Sequence, residues 1–364
     1  MGDAKNLGGN TLMNESERGI GRRGLLGLGV GAGLSLTRPA WSRAATVPFP
    51  DGATLLVAGP SGGTVDTWAE WLAPAIAPAL PPGTAVRKNI AGGADGVTGA
   101  NQFEALIVPD GSTALLLPGS AAMAWLVGDP RARFDATHWV PALAGVTPGV
   151  VVSRISTAQI LRGTTLRIAA SDPAGPELPA LLALDLMGAH WRPVFGLHAH
   201  AALDALSRGA VDAVCLHGRN VVEMAQSCTA AGAPPIFTFG VMDDDGQRQR
   251  DPAFADLPDA AELLDRRTPT GPLHNAWRAT AAAAQLEMAL VLPQLTPASM
   301  VALWRWACTQ ATGSEQLQAQ ASSVGVRPLP ALAATASTAP IATDAAALLE
   351  LRHWMATRLD YHPA

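Results

Sequence analysis

The chain has 364 residues, 48% hydrophobic and 15% charged, with a mean hydropathy of +0.19, which excludes a disordered chain and a coiled coil. Residues 1–44 hold six basic and three acidic side chains, so the remainder carries 19 basic against 27 acidic groups, a net of −8. That balance excludes a nucleic-acid footprint and offers no long-range attraction to an anionic ligand.

At the start of the chain, Arg22-Arg23-Gly24-Leu25-Leu26 opens an uncharged stretch, Gly24 to Thr37, of 14 residues with five glycines. It is shorter than the roughly 20 residues of a membrane span, so no membrane protein is implied. Ser42-Arg43-Ala44 places small residues where a signal peptidase reads. The whole resembles a twin-arginine signal peptide, with Gly21 in place of the usual Ser or Thr. Residues 1–44 are therefore expected to be removed, leaving a mature chain from near Ala45. No cysteine at that point offers a lipid anchor.

The remaining chain, about 320 residues, is long enough for two domains at roughly 150 residues each. Thr54 to Ala58 reads as a buried strand and Val65 to Ala79 as a helix with Trp68, Trp71, Leu72 and Ile76 on one side. Between them lies Gly59-Pro60-Ser61-Gly62-Gly63-Thr64. Further strands are expected at Thr113 to Leu117, Gly149 to Ser153, Leu166 to Ala170, Val211 to Leu216 and Ile236 to Phe239. A helix is expected over Ala100 to Leu106, after a turn containing Gly92, Gly93, Gly96 and Gly99. Thr296-Pro297 starts an amphipathic helix through Met300, Leu303, Trp304 and Ala307. Asp243-Asp244-Asp245 marks an exposed segment, and the alanine-rich stretches 279–284 and 331–347 read as helix or linker. The alternation gives an α/β class with mostly parallel strands.

Three chemistries compete for the first loop. Gly59-Pro60-Ser61-Gly62-Gly63 fits the G-x-S-x-G elbow of a secreted serine hydrolase with Ser61 as nucleophile, but almost no mature chain precedes it to supply oxyanion donors, and no histidine declares itself as base. A dinucleotide or phosphate loop fails because the glycines at 92–99 match neither spacing. In the third reading Ser61, Gly62, Gly63 and Thr64 present free backbone amides at a helix N-terminus to an anion. One helix end contributes about 0.3–2 kcal/mol, less than the several kcal/mol of desolvating a carboxylate. A second set of donors must then close over the ligand.

The order of motifs resembles the Bug family, the periplasmic solute receptors of tripartite tricarboxylate transporters. Ser61-Gly62-Gly63-Thr64-Val65-Asp66 is similar to the family's A-G-G-x-x-D loop, and Val86 to Gly99 loosely to its V-x-N-x-x-G-A-G-G-x-x-G run. Pro109-Asp110-Gly111-Ser112-Thr113-Ala114-Leu115 matches P-D-G-x-T-L-L, and Gly119-Ser120-Ala121 a G-T-S-like loop. Trp139 to Leu143, Arg208 to Asp212 and Leu257 to Glu262 match later motifs. The resemblance implies a type II periplasmic-binding-protein fold, two α/β lobes around a cleft for a small carboxylate. It also implies no chemistry, no cofactor and no metal, and delivery to a membrane transporter or a sensor. Lobe one is expected to combine 45–149 with 268–364, and lobe two to be 150–267, closing by a hinge.

The departures fall at the site. The second-lobe loop is Ser171-Asp172-Pro173-Ala174-Gly175-Pro176-Glu177, in which two prolines remove donors and two carboxylates enter. The family's Tyr-Lys-Gly turn is replaced by Gly196-Leu197-His198. The ligand is therefore expected to differ from the usual di- and tricarboxylates and to be able to carry a positive group, making it amino-acid-like. His198-x-His200 and Cys215-x-His217 have zinc-like spacing, against which stand ordinary histidines. Cys215, Cys228 and Cys308 read as packed small hydrophobes. Arg219 follows an apolar strand and is a candidate carboxylate partner, with an ordinary surface arginine as the alternative. Asp66 is either a helix-dipole partner or a contact for a ligand ammonium. The expected ligand-binding set is Ser61, Gly62, Gly63, Thr64, Asp66, Gly119, Ser120, Ser171, Asp172, His198, His217 and Arg219.

Overall fold

A computed structural model describes residues 49, 51–243, 246–264 and 271–363; the expected signal segment, 1–44, lies outside the described residues. The first sheet begins with the apolar runs that a doubly covered strand requires. In chain order it takes β1 (Ala53–Val57), α1 (Thr64–Ile76), β2 (Val86–Ile90), α2 (Val97–Leu106), β3 (Thr113–Leu117), α3 (Gly119–Val127) and β4 (Trp139–Val146). Alternate residues of β1 point to opposite faces. Leu55 and Val57 join the core under α1, while Leu56 and Ala58 join the layer that holds α2 and α3.

The chain then crosses to a second sheet. This contains β5 (Val150–Ser153), α4 (Thr157–Leu161), β6 (Leu166–Ala169), α5 (Leu178–Leu186), β7 (Trp191–Val194), α6 (Ala199–Ser207), β8 (Ala213–Leu216), α7 (Val221–Ala230) and β9 (Pro235–Thr238). A small hairpin of β10 (Val241–Met242) and β11 (Arg248–Gln249) and the short α8 (Ala260–Leu264) lead back toward the first sheet. The chain ends with α9 (Pro272–Gln285), β12 (Leu286–Pro293), α10 (Ala298–Thr312), α11 (Glu315–Ser322), β13 (Arg327–Pro330), α12 (Ala331–Thr338) and α13 (Ala345–Leu359).

The six-stranded sheet has the order β13-β4-β12-β3-β1-β2 and the five-stranded sheet β7-β6-β8-β5-β9. Both are mixed, which corrects the expectation of mostly parallel strands. β1 pairs in parallel with β2 and β3, and β6 with β7 and β8. Wherever the chain crosses or returns, at β4, β5, β9, β12 and β13, pairing is antiparallel. Both edges of the larger sheet are blunted. β2 carries Arg87 and Lys88, and β13 carries Pro328 and Pro330, which cannot donate to a further strand.

The two alanine-rich stretches are resolved as helix. α9 covers the first, and the second contributes α12 and the start of α13. Among the described residues no single helix is long and apolar enough to cross a membrane.

The passages between the sheets are tied together. The Thr147 N–H donates to the Gln285 carbonyl at 2.9 Å, and Gln285 Nε2 donates to the Gly240 carbonyl at 2.9 Å. Behind these crossings α5, apolar except for Asp185, packs against α9, which in turn packs against α3 and α13. Trp354 Nε1 and Arg358 Nη2 on α13 both donate to Asp185, at 2.7 and 2.6 Å. One continuous apolar core therefore joins the lobes on this side, and the opposite side is left open.

Candidate functional site

The open side is a cavity of about 670 Å³. Its walls are the loops that follow β1, β2 and β3 in one sheet and β6 and β8 in the other, closed at the base by Thr147 and the α9–β12 junction. Loops at the carboxyl ends of parallel strands are where open α/β sheets hold ligands.

The first wall is built by two helix starts. Thr64 and Val65 open α1, and Gly119 and Ser120 open α3; all four line the cavity. First-turn amides have no intrahelical acceptor, and neither Gly63 nor Pro118 supplies a side-chain cap. Gly119 is required by close approach, since a Cβ there would stand 2.1 Å from the Ala283 carbonyl oxygen and 2.5 Å from that of Leu286.

The expected run of free amides from Ser61 to Thr64 is shorter than the sequence implied. Gly62 N–H donates to Asp66 Oδ2 at 2.8 Å, and Gly63 N–H to the Pro60 carbonyl at 3.0 Å. Gly63 and Thr64 reach the cavity, whereas Ser61 and Gly62 are exposed and do not line it. Ser61 makes no hydrogen bond to a histidine among the described residues.

Asp66 is 2% exposed and also accepts Lys88 Nζ at 2.6 Å. It therefore fixes the loop from behind and leaves no group facing a ligand. The Lys88 hydrogen bond, then that from Gly62, holds its carboxyl below the usual range. A depressed folded pKa stabilises fully above the unfolded value and is lost as pH falls through the folded one. Asp66→Asn is accordingly expected to cost about 1–3 kcal/mol at neutral pH. The urea midpoint of the variant should fall less than that of the parent between about pH 6 and pH 3.

The second wall carries one carboxylate and one imidazole. Asp172 lines the cavity with Oδ1 accepting the Ala174 N–H at 2.8 Å. Ser171 turns inward, its N–H and Oγ donating to Glu177 Oε2 at 3.2 and 2.7 Å, and it does not reach the cavity. Glu177 Oε1 lies 3.4 Å from Nε2 of His217, a cavity residue. Burial pushes the Glu177 carboxyl up, but His217 and Ser171 outweigh it and leave it below its ordinary value. The second-lobe loop thus spends its donors internally, Gly175 N–H on the Asp172 carbonyl as well.

His198 is exposed at the start of α6 and lies away from the cavity, as does His200. The four residues with zinc-like spacing are thus split among the exposed start of α6, the buried Cys215 and the cavity wall at His217. All three cysteines are buried, and burial pushes the Cys308 thiol to about 12.

Arg219 does not line the cavity. Its Nε donates to Glu287 Oε1 at 2.6 Å, and Glu287, only 11% exposed, is the residue that faces the cavity. Three charged wall residues carried no motif in the sequence: Asp95, Asp129 and Arg131. Arg131 spans the two carboxylates at 2.8 and 2.6 Å; its hydrogen bond to Asp129, then the charge of Asp95, raises its pKa, and the same hydrogen bond holds the Asp129 carboxyl below its ordinary value. Counting Arg219 behind Glu287, the cavity walls hold Asp95, Asp129, Asp172 and Glu287 against two guanidiniums, an excess of two negative charges.

No protein-family model matches the chain, and no curated protein does. Among solved structures it is similar to a TctC solute binding protein from Polaromonas, at 16% identity over 85% of this chain and 99% of that one, with a TM-score of 0.63. Lower similarity links it to MatC from Rhodopseudomonas palustris with bound malate, at 18% identity over 84% and 98% of the two chains and a TM-score of 0.48. The periplasmic binding protein BugD, at 16% identity over 86% and 98%, has a TM-score of 0.47. The chain therefore has the fold of a TctC-type solute-binding protein, two α/β lobes around a cleft.

Proposed function

We propose that the protein is an extracytoplasmic solute receptor, working in the periplasm after loss of residues 1–44. It captures a small carboxylate that also bears a positive group, without making or breaking a bond, for a tripartite tricarboxylate-type transporter or a sensor. The observation that carries this reading is the cavity of about 670 Å³ walled by strand-end loops of both sheets. The uncapped starts of α1 and α3 favour a carboxylate by about 0.3–2 kcal/mol each, and Asp172 on the facing loop favours an ammonium at the other end. An amino-acid-like zwitterion satisfies both, whereas a plain di- or tricarboxylate would meet the excess negative charge.

Lobe one, 45–149 with 268–364, and lobe two, 150–267, are proposed to close over the ligand from the open side. The α5–α9–α13 packing keeps the back of the molecule fixed.

Calorimetric titration with α-amino acids and with the carboxylates of the same skeleton lacking the amine tests the ligand class. The amino acids should bind more tightly, and Asp172→Asn should erode that preference by about tenfold or more, the worth of a hydrogen bond to a charged group. Tighter binding of the deaminated analogues, unaffected by Asp172→Asn, would refute the zwitterion.

A further inference from the structure

A second cluster of charge lies away from the cleft, where α9, β13, α12 and the β10–β11 hairpin meet. Arg248, Arg278 and Arg327 line one small pocket there together with Gln285 and Ser337. Arg278 and Gln285 are seven residues apart on α9, two helical turns, and so share a face.

Two of the arginines are without hydrogen-bonding partners. Arg278 has no hydrogen bond or ion pair among the described residues, and Arg327 Nε is buried with no hydrogen-bond partner. Ser337 also makes no side-chain hydrogen bond there. Arg248 is held in place, stacked over Trp277 at 4.7 Å, donating to the Phe239 carbonyl and 4.0 Å from Asp259. The nearby carboxylates are Asp259, Asp251 and, in the adjoining hollow, Asp344; Asp251 already accepts the Ala253 N–H at 2.9 Å and Asp344 the Ala347 N–H at 2.8 Å. Three guanidiniums thus line one small pocket, two of them without a hydrogen-bond acceptor among the described residues, in a chain whose net charge beyond residue 44 is −8.

Like charges lining one half-buried pocket repel, and a buried guanidinium nitrogen without an acceptor loses its hydration uncompensated. One group resolves both costs: an anion with several acceptor oxygens. The pocket alone measures about 30 Å³, and it adjoins a hollow of about 470 Å³ that shares Met242, Arg278 and Pro340 with it and supplies the rest of the room for a head group.

We infer that this pocket is a second ligand site, separate from the cleft, for a phosphate-class oxyanion, either inorganic phosphate or a phosphate monoester whose organic part lies in the adjoining hollow. Guanidinium forks match phosphate oxygens in pairs, and a tetrahedral dianion offers enough acceptors for Arg278, Arg327 and Ser337 together.

The test is calorimetric titration of the mature protein, at low ionic strength to limit screening, with inorganic phosphate and separately with glycerol phosphate. One saturable site is expected. Arg278→Ala, at a half-buried and unpartnered position, should fold normally and weaken binding at least about tenfold, and Arg327→Gln should do the same. Thr64→Trp, which fills the cleft, should leave phosphate binding unchanged. Tighter binding of glycerol phosphate would place the organic part in the hollow, and equal binding would identify the head group alone; either supports the site. The inference is overturned if phosphate shows no saturable binding, if Arg278→Ala binds as the parent does, or if Thr64→Trp abolishes the binding and so moves it into the cleft.

Discussion

Gly119→Val is expected to destabilise the protein by at least about 3 kcal/mol, the upper part of the usual range for overpacking. The added atoms cannot escape into space or displace a flexible side chain. A Cβ at position 119 would lie 2.1 Å and 2.5 Å from two main-chain carbonyl oxygens, those of Ala283 and Leu286. Those oxygens sit at the α9–β12 junction, where Gln285 is also bonded to Thr147 and Gly240. Relief therefore requires the start of α3 to separate from the junction that ties the two lobes. Even Gly119→Ala should lower the urea midpoint clearly. An unchanged midpoint in that variant would mean that α3 and α9 do not approach as closely as described.

Arg219→Ala is the second large effect expected, about 2–4 kcal/mol of stability. Breaking a buried pair by removing one partner typically costs 3–5 kcal/mol because the other charge is left without compensation. Here Glu287 is 11% exposed but Arg219 is 30% exposed, so solvent softens the loss. Glu287→Gln in an Arg219→Met background should recover most of it, since no buried charge then remains. Chemical denaturation of the single and double variants measures the coupling. Additive losses would show that the pair is not coupled. Because Arg219 acts through Glu287, its removal should alter ligand binding by releasing a carboxylate into the cleft, an indirect effect that differs from losing a direct guanidinium contact.

Much of the fold was legible because it is written in local pattern. Apolar runs such as Thr113 to Leu117 and the Trp68-Leu72-Ile76 stripe record which faces are covered, and both are buried as expected. Strand direction was less legible. β12, Leu286–Pro293, is an apolar run like the others, but its antiparallel pairing with β3 and β4 depends on contacts between distant parts of the chain.

At the site, Gly63, Thr64, Gly119, Ser120, Asp172 and His217 line the cavity, because strand-end loops carry small and polar residues at recognisable places. Hydrogen bonding inside the loops was not legible. Asp66 takes the Gly62 amide, and Glu177 takes Ser171, because each carboxylate is folded back by four or six residues onto its own loop. The Asp95–Arg131–Asp129 group escaped notice because its members come from two separate connections that only the folded chain brings together.

The most direct test of the receptor reading is a thermal-shift screen of the mature chain against carboxylates and amino acids, run in parallel on Thr64→Trp. Thr64 is exposed and borders the cleft, so the indole should occupy ligand space without disturbing the core. A true ligand at 100 times its dissociation constant stabilises by about 2.7 kcal/mol. An amino-acid-like zwitterion should raise the parent's transition temperature by that measure and leave Thr64→Trp unmoved, with equal ligand-free transitions in both. Equal stabilisation of both proteins by the same ligand would contradict it, because the ligand would then be bound somewhere other than between the lobes.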